Sequence, residues 1–141
     1  MKLRNATKDD LLAILKLHDV LFDYKYTYDN YLIELDNEIS DFMVLENNGI
    51  IIGYFITHTA FEQLEIVIIA IANEYQRLGY GKFFLQYIDY LKNKRAATEI
   101  LIEVSIFNEV AINFYQKNGF KYLTQRDDYY NKGNHALVYR K

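Results

Sequence analysis

Residues 76 to 82 read Gln76-Arg77-Leu78-Gly79-Tyr80-Gly81-Lys82, and they lie between a strongly apolar segment and an amphipathic one. The two glycines let the backbone approach a ligand closely, and the N–H groups of this segment fall at the start of the helix that follows. The positive end of a helix dipole attracts anions, and Arg77 and Lys82 add cationic donors. The segment therefore predicts a strand-to-helix turn that binds a pyrophosphate group.

Two familiar phosphate-binding patterns do not fit this segment. A dinucleotide-binding G-x-G-x-x-G pattern would need glycine at position 84, which is Phe84. A P-loop would need glycine at position 76 and Ser or Thr after Lys82, where the chain has Gln76 and Phe83. On these residues alone, the segment is either a phosphate site or a turn that merely tolerates glycine.

The flanking segments alternate between strand and helix patterns. Leu64–Ala72 is β-branched and apolar with almost no alternation, which predicts a central strand covered on both faces. Gly81–Lys94 places its apolar residues on one stripe, which predicts a helix. The other patterns predict strands at 2–5, 42–46, 50–58, 99–104, 120–123 and 136–140, and helices after Thr7, at 30–38 and at 108–117. The order β-α-α-β-β-β-α-β-α-β-β predicts a mixed α/β fold.

Composition excludes several classes of function. With no cysteine among 141 residues there is no disulfide, no thiolate nucleophile and no sulfur-based zinc finger, and three scattered histidines suggest no metal site. A net charge of −3 supplies no basic field for nucleic acid. The longest apolar run, Ile66 to Ala72, is far shorter than the roughly 20 residues that span a bilayer, and the polar start lacks a signal-peptide pattern. We expect one domain over residues 1–141, cytoplasmic, monomeric or homodimeric, without a membrane or nucleic-acid partner.

A second motif follows 27 residues after Gly81. It reads Asn108-Glu109-Val110-Ala111-Ile112-Asn113-Phe114-Tyr115, and Gly119-Phe120 comes shortly after it. Residues seven apart share a face of a helix, about two turns from each other. Asn108 and Tyr115 are therefore expected to present an amide at the outer end of an elongated cofactor and a phenol further along it.

The two motifs, in this order, resemble those of the GNAT superfamily of acetyl-CoA-dependent N-acetyltransferases. The Gln/Arg-x-x-Gly-x-Gly/Ala signature is found at 76–81, and the Asn-x-x-Ala-x-x-Phe-Tyr-x-x-x-Gly-Phe signature at 108–120. The predicted order of elements agrees over essentially the whole chain. The resemblance implies a central, mostly antiparallel twisted sheet of about seven strands flanked by about four helices.

Within the superfamily, the chain is most similar to the bacterial ribosomal-protein-alanine N-acetyltransferase (RimI) group. The similarity lies in Ile69-Ala70-Ile71, in Ile102-Glu103-Val104, and in Arg126 with Tyr129-Tyr130. It implies that the backbone around Ile69 and Ile71 pairs with the pantetheine arm of acetyl-CoA and that the following turn holds the pyrophosphate. The cofactor-binding residues that it implies are Ile69, Ala70, Ile71, Gln76, Arg77, Leu78, Gly79, Tyr80, Gly81, Lys82, Asn108 and Tyr115.

The resemblance also implies direct attack of a primary amine on the acetyl thioester, with the N-terminal α-amine of a protein such as a ribosomal protein as the expected acceptor. Glu103 matches the general base of the RimI group, and Tyr115 matches its general acid for the departing thiolate. A Glu pKa near 4.3 lies far below the α-amine pKa of about 7.7–8.0, so Glu103 needs a raised pKa or a water relay. In the alternative interpretation, Glu103 is a solvated strand carboxylate and Tyr115 a core aromatic.

The acceptor is expected to contact a further set of residues: Tyr24, Tyr31, Glu65, Tyr129 and Tyr130. The cluster from Tyr24 to Tyr31 is either an aromatic collar around the acceptor or half-buried packing. Asn73 stands where many relatives have proline after the central strand. If neighbouring strands separate at this point, the separation cannot depend on a proline. Two other functions stay open: acetylation of a small amine (polyamine, amino acid or aminoglycoside) and non-catalytic binding of coenzyme A.

Overall fold

A computed structural model describes all 141 residues, and its elements follow the predicted order. The strands are β1 (Lys2–Asn5), β2 (Ser40–Asn47), β3 (Ile50–Ala60), β4 (Gln63–Ile71), β5 (Glu99–Ser105), β6 (Lys121–Asn131) and β7 (Asn134–Arg140). The helices are α1 (Leu11–Leu21), α2 (Tyr28–Asp36), α3 (Tyr80–Lys94) and α4 (Glu109–Lys117), and two short 3-10 helices cover Lys8–Asp10 and Asn73–Tyr75. None of these helices has the length and apolar character needed to cross a membrane.

All seven strands form one sheet in the order β1-β2-β3-β4-β5-β7-β6. Every neighbouring pair is antiparallel except β4 and β5. The mixed α/β fold with a mostly antiparallel seven-stranded sheet and four helices is therefore confirmed. The parallel pair covers only Gln63–Ile66 against Glu99–Ile102, so a gap opens between the two strands beyond these residues.

Each face of the sheet carries its own hydrophobic core. The larger core lies against α3 and α4, and the smaller lies against α1 and α2. Strand β4 contributes to both, because Leu64 and Ile66 belong to the larger core, whereas Ile68 and Ala70 belong to the smaller one. The change of face occurs at a β-bulge, where Val67 is the extra residue between the pairs Ile56–Ile68 and Thr57–Ile66.

Strand β4 is apolar without alternation because both of its faces are covered beyond the bulge. Ile68 and Ala70 lie in the smaller core, and Ile69 and Ile71 pack against the larger one. The bulge itself lies where β4 and β5 separate, so the chain reaches this separation with Asn73 in place of a proline. The gap between β4 and β5 begins beside Val67 and ends at the turn into α3.

Several boundaries differ from the predicted ones. Helix α2 begins at Tyr28, two residues before the expected start, because Thr27 and Asn30 cap it reciprocally. Helix α4 begins at Glu109, since Asn108 is its N-cap. Strand β6 was expected only at 120–123 but continues to Asn131, where a tight turn leads into β7.

Candidate active site

The predicted phosphate-binding turn joins β4 to α3. Gly79 caps α3 with φ 93°, and Arg77 also has a left-handed φ, of 62°. Such a backbone turns successive N–H groups toward a common point, which suits an anion. The first helical hydrogen bond runs from Phe83 N–H to the Gly79 carbonyl at 3.0 Å, so the N–H groups of residues 77–82 donate to no group of the chain. Six free amides therefore lie at the N-terminus of a fifteen-residue helix.

Two residues of this turn have structural roles. The Gln76 side-chain amide donates to the Ile71 carbonyl at 2.9 Å and to Asn73 Oδ1 at 3.3 Å, and its N–H donates to the Asn73 carbonyl. The structure therefore does not support the expected contact between Gln76 and the cofactor, because its donors brace the turn. At Gly81, a Cβ would lie 3.0 Å from Phe114 Cζ, so glycine allows α3 to approach α4 closely.

One edge of β4 faces the gap toward β5. Ala72 N–H donates to the Ile52 carbonyl of β3 at 2.8 Å. Because peptide groups alternate in direction along a strand, those of Ile69 and Ile71 face the gap, as expected for a strand-like contact with an extended ligand. Ala70 does not: its peptide faces β3, and its side chain is buried in the smaller core. The expected contact of Ala70 with the cofactor is therefore not supported.

Helix α4 borders the gap on the side of β5. Asn108 Oδ1 accepts from Ala111 N–H at 3.1 Å, which caps the helix and leaves the side-chain NH₂ group for a ligand. The Tyr115 ring packs edge-on against Phe114 and Phe120, with ring centroids 5.2 and 5.3 Å away. Burial raises the pKa of Tyr115 far above its usual range. Its hydroxyl is therefore a neutral hydrogen-bond donor at any physiological pH.

On the face of α1 and α2, the structure brings together five of the predicted acceptor-side and catalytic residues. They are Tyr24, Glu65, Glu103, Tyr129 and Tyr130. The charge of Glu103 is the main cause that raises the pKa of Tyr129. Burial, with added effects of Glu103 and both other tyrosines, raises the pKa of Tyr130 to about 12. We call the space bordered by these five residues the acceptor cleft.

The direction of Glu103 follows from its strand. Ile102 and Val104 point into the larger core, so Glu103 points to the opposite face and into the cleft. Its side chain is only 15% exposed, and Arg126 Nη2 lies 3.3 Å from its Oε1. Glu103 is therefore not a freely solvated strand carboxylate.

Tyr31 lies outside the cleft. It is fully buried in the smaller core, and its hydroxyl lies 2.6 Å from the hydroxyl of Tyr54. The expectation that Tyr31 contacts the acceptor is wrong, because the ring points into the sheet. Its ring packs against that of Tyr26, with the ring centroids 4.6 Å apart, and so supports the loop that carries Tyr24.

The sequence interpretation missed a charged pair beside the cleft. His58 Nε2 lies 2.7 Å from Glu34 Oε2, and the Tyr26 hydroxyl donates to Glu34 Oε1 at 3.2 Å. The hydrogen bond with Glu34 raises the pKa of His58, which favours its protonated form. His58 is also the direct cross-strand partner of Glu65. The sequence signal that could have indicated this pair is Glu34, which lies three residues after Tyr31 on the same, buried side of α2.

Comparison with known proteins agrees with this geometry. The chain matches the Acetyltransferase (GNAT) domain family over residues 38–122. It is 30% identical over 150 aligned positions to an N-alpha-acetyltransferase of Sulfurisphaera tokodaii, covering 97% of this chain and 90% of that protein. It is also 31% identical over 86 positions to the ribosomal protein bS18-alanine N-acetyltransferase of Escherichia coli K12, covering 61% of this chain and 58% of that protein.

Solved structures share the fold. The ribosomal-protein-S18-alanine N-acetyltransferase from Escherichia coli superposes with a TM-score of 0.88 at 22% identity, covering 99% of this chain and 91% of that one. The PaiA N-acetyltransferase from Thermoplasma acidophilum, solved in complex with coenzyme A, gives 0.82 at 20% identity and covers 99% and 97%. With a family match over more than half of its residues, this chain belongs to the GNAT family and is an N-acetyltransferase of that type.

Proposed function

We propose that this protein transfers the acetyl group of acetyl-CoA to the N-terminal α-amine of a protein, with a ribosomal protein as the leading candidate. One observation carries the proposal: the free N–H groups of residues 77–82 lie at one end of the β4–β5 gap, and Glu103 lies at the other. The names of the two sequence relatives, an N-alpha-acetyltransferase and a ribosomal protein bS18-alanine N-acetyltransferase, support this class of acceptor.

The residues at the gap fit acetyl-CoA. The free amides of residues 77–82 are suited to its pyrophosphate, since they combine six donors with the positive end of α3. The outward peptide groups of Ile69, the Ile71 N–H and the side-chain NH₂ of Asn108 are suited to the amides of its arm, whereas the Ile71 carbonyl already accepts from Gln76. When bound, acetyl-CoA supplies an acetyl group already activated as a thioester.

Glu103 and Tyr115 then act on the two groups whose protonation changes during the transfer. An α-amine with a pKa of about 7.7–8.0 is largely protonated at neutral pH and must lose a proton before it attacks. Glu103 faces the cleft where that amine would lie, and we propose that it acts on the amine directly or through water. As the C–N bond forms and the C–S bond breaks, the neutral hydroxyl of Tyr115 donates a hydrogen bond to the departing sulfur. Its raised pKa argues against full proton transfer.

A panel of acceptors tests the proposal. The panel contains a peptide that begins with alanine, the same peptide with a blocked N-terminus, spermidine and an aminoglycoside, and turnover is read as free thiol. Because the chain has no cysteine, every thiol that appears belongs to coenzyme A. We expect turnover of the free peptide and none of the blocked one. Turnover of the small amines alone would refute the protein acceptor, and binding of acetyl-CoA without any turnover would refute catalysis.

A further inference from the structure

The loop that carries Tyr24 joins α1 to α2 and covers residues 22–27. Inside the caps of these two helices, no N–H or carbonyl of residues 23–26 forms a hydrogen bond with another backbone group. The chain also has no proline that would restrict the loop locally. The conformation of the loop therefore depends on contacts with side chains.

His18 supplies the one side-chain hydrogen bond to the backbone of residues 23–26. Its Nε2 lies 2.9 Å from the Tyr24 carbonyl oxygen, and because a carbonyl only accepts, Nε2 carries the hydrogen. His18 is fully buried on the inner face of α1, whereas Tyr24 is 49% exposed. A donor that is built into a helix therefore fixes the backbone of a residue whose side chain is open to the cleft.

The core orients the His18 ring from its other side. With the hydrogen on Nε2, Nδ1 of the neutral ring is an acceptor, and the Tyr54 hydroxyl of β3 lies 3.5 Å from it. The Tyr54 hydroxyl lies 2.6 Å from that of Tyr31, which completes a buried chain of hydrogen bonds from α2 to the loop. Four aromatic rings also surround the imidazole, with centroids 4.9 to 6.0 Å away: Phe22, Tyr24, Tyr26 and Tyr31.

Tyr24 borders the acceptor cleft on the side of this loop, and β6 borders it on the other. The Tyr24 hydroxyl lies near enough to Tyr130 of β6 to contribute to the raised pKa of that residue. The distance between these two walls of the cleft therefore depends on where the loop places Tyr24.

We propose that His18 is a positioning residue for the acceptor, because it holds Tyr24 where the tyrosine side chain contacts the peptide; this inference rests on the proposed function. His18 itself is buried and touches neither the acceptor nor acetyl-CoA. Without its hydrogen bond the loop adopts further conformations, and the apparent affinity for the peptide falls with the fraction of molecules in the binding conformation. The loss concerns binding of the peptide and leaves the chemical step and acetyl-CoA unaffected.

Steady-state kinetics with the alanine peptide compare two variants of His18. His18→Phe keeps a ring among the aromatic neighbours but removes the donor, and we expect it to raise KM for the peptide about 3–10-fold, the size of one hydrogen bond. Its kcat and its KM for acetyl-CoA should stay close to those of the wild type. His18→Gln places an amide donor near the position of Nε2 and should restore most of the lost affinity. Val20→Ala, at an exposed position of α1, is the matched control and should behave as the wild type.

A double-mutant cycle tests whether His18 acts through Tyr24. Tyr24→Ala removes the side chain that His18 positions, so adding His18→Phe to it should raise KM for the peptide no further. Tyr54→Phe, which removes only the donor to Nδ1, is a milder second variant and should raise that KM in the same direction.

Trypsin gives a readout that does not depend on activity. It cleaves after Lys25, which is exposed within the loop, and cleavage requires a locally mobile backbone. The rate of cleavage at Lys25, followed by mass spectrometry, should rise about 3–10-fold in His18→Phe and return toward the wild-type rate in His18→Gln. Cleavage at the other lysines and arginines should keep its rate, which distinguishes a released loop from a destabilised fold.

Two outcomes would overturn the inference while leaving the proposed function intact. One is an active wild type together with a His18→Phe variant whose KM for the peptide and cleavage rate at Lys25 are unchanged. The other is an equal rise in KM when His18→Phe is introduced with and without Tyr24→Ala. A wild type that acetylates no amine would overturn both the proposed function and this inference.

Discussion

Replacing Arg95 with glutamine removes the cation that pairs with Asp41. The guanidinium of Arg95, at the C-terminal end of α3, donates from Nε to Asp41 Oδ2 at 3.0 Å and from Nη2 to Oδ1 at 2.6 Å. The Asp41 side chain is 10% exposed, whereas that of Arg95 is 37% exposed. The variant therefore leaves a nearly buried carboxylate without its bidentate partner.

The expected loss follows from these exposures. Removing one partner of a fully buried ion pair costs about 3–5 kcal/mol, because the other charge is left uncompensated. Water already reaches part of Arg95, so we expect a loss of about 2 kcal/mol in the free energy of unfolding. With a urea m-value of about 1–3 kcal/mol/M, the midpoint should fall by about 1 M.

Urea unfolding followed by circular dichroism measures this loss. Asp89→Asn is the matched control, because it breaks the exposed pair between Asp89 and Lys141, whose closest atoms lie 3.4 Å apart. Such pairs contribute about 0–1 kcal/mol, so the midpoint of the control should hardly move. Arg95→Lys keeps the charge without the bidentate geometry and should fall between the two. Equal midpoints for Arg95→Gln and Asp89→Asn would refute the reasoning that burial decides the strength of the pair.

The other predictions concern the site. Tyr115→Phe should lower kcat about 10–100-fold with little change in KM for acetyl-CoA, because a hydrogen bond to a charged group contributes about 1.5–3 kcal/mol. Steady-state kinetics measure this, and an unchanged kcat would exclude the hydroxyl from the reaction. Gly53→Ala places a Cβ 2.8 Å from the Ala70 carbonyl oxygen and should cost about 1–3 kcal/mol in urea unfolding while raising KM for acetyl-CoA. Gly49→Ala has no neighbour within 4 Å but a φ of 82°, so it should also lower stability while leaving that KM unchanged. Because Glu34 raises the pKa of His58, the pair contributes stability that is fully present below about pH 6.5 and is lost as pH rises through the higher folded pKa. The free energy of unfolding should fall over that range, and a slope that survives in His58→Gln would contradict this origin.

Local chemistry made much of the fold predictable. The alternation of apolar stripes and β-branched runs indicated the order of elements, and glycines at 79 and 81 indicated the turn into α3. These features depend on residues that are close in the chain, such as the apolar stripe of α3 and the capping pair of α2. Even so, the cap at Thr27 was overlooked, which placed the start of α2 two residues late.

The missed features depend on residues that are distant in the chain. The pair between Glu34 and His58 requires the register of β3 against β2 and the packing of α2, neither of which a local pattern specifies. Tyr31 belongs to an alternating tyrosine pattern that fits either an aromatic collar or half-buried packing, and only its packing against Tyr54 shows that it is buried. Gln76 matches a family motif, but the motif does not reveal that its side-chain amide donates to the carbonyl of Ile71.

The uninterrupted apolar run of β4 has a consequence for how this strand keeps its register. A strand that is apolar at every position from Ile66 to Ala72 could slide by one residue and still bury apolar side chains, so its own pattern does not choose an alignment. Two other features make the choice. A slide would turn the Glu65 charge toward the larger core, and the Ala70 carbonyl lies so close to Gly53 that no larger residue fits there. Glu65 before the apolar run and Gly53 on β3 opposite its end thus fix the register of β4, which the apolar residues between them do not specify.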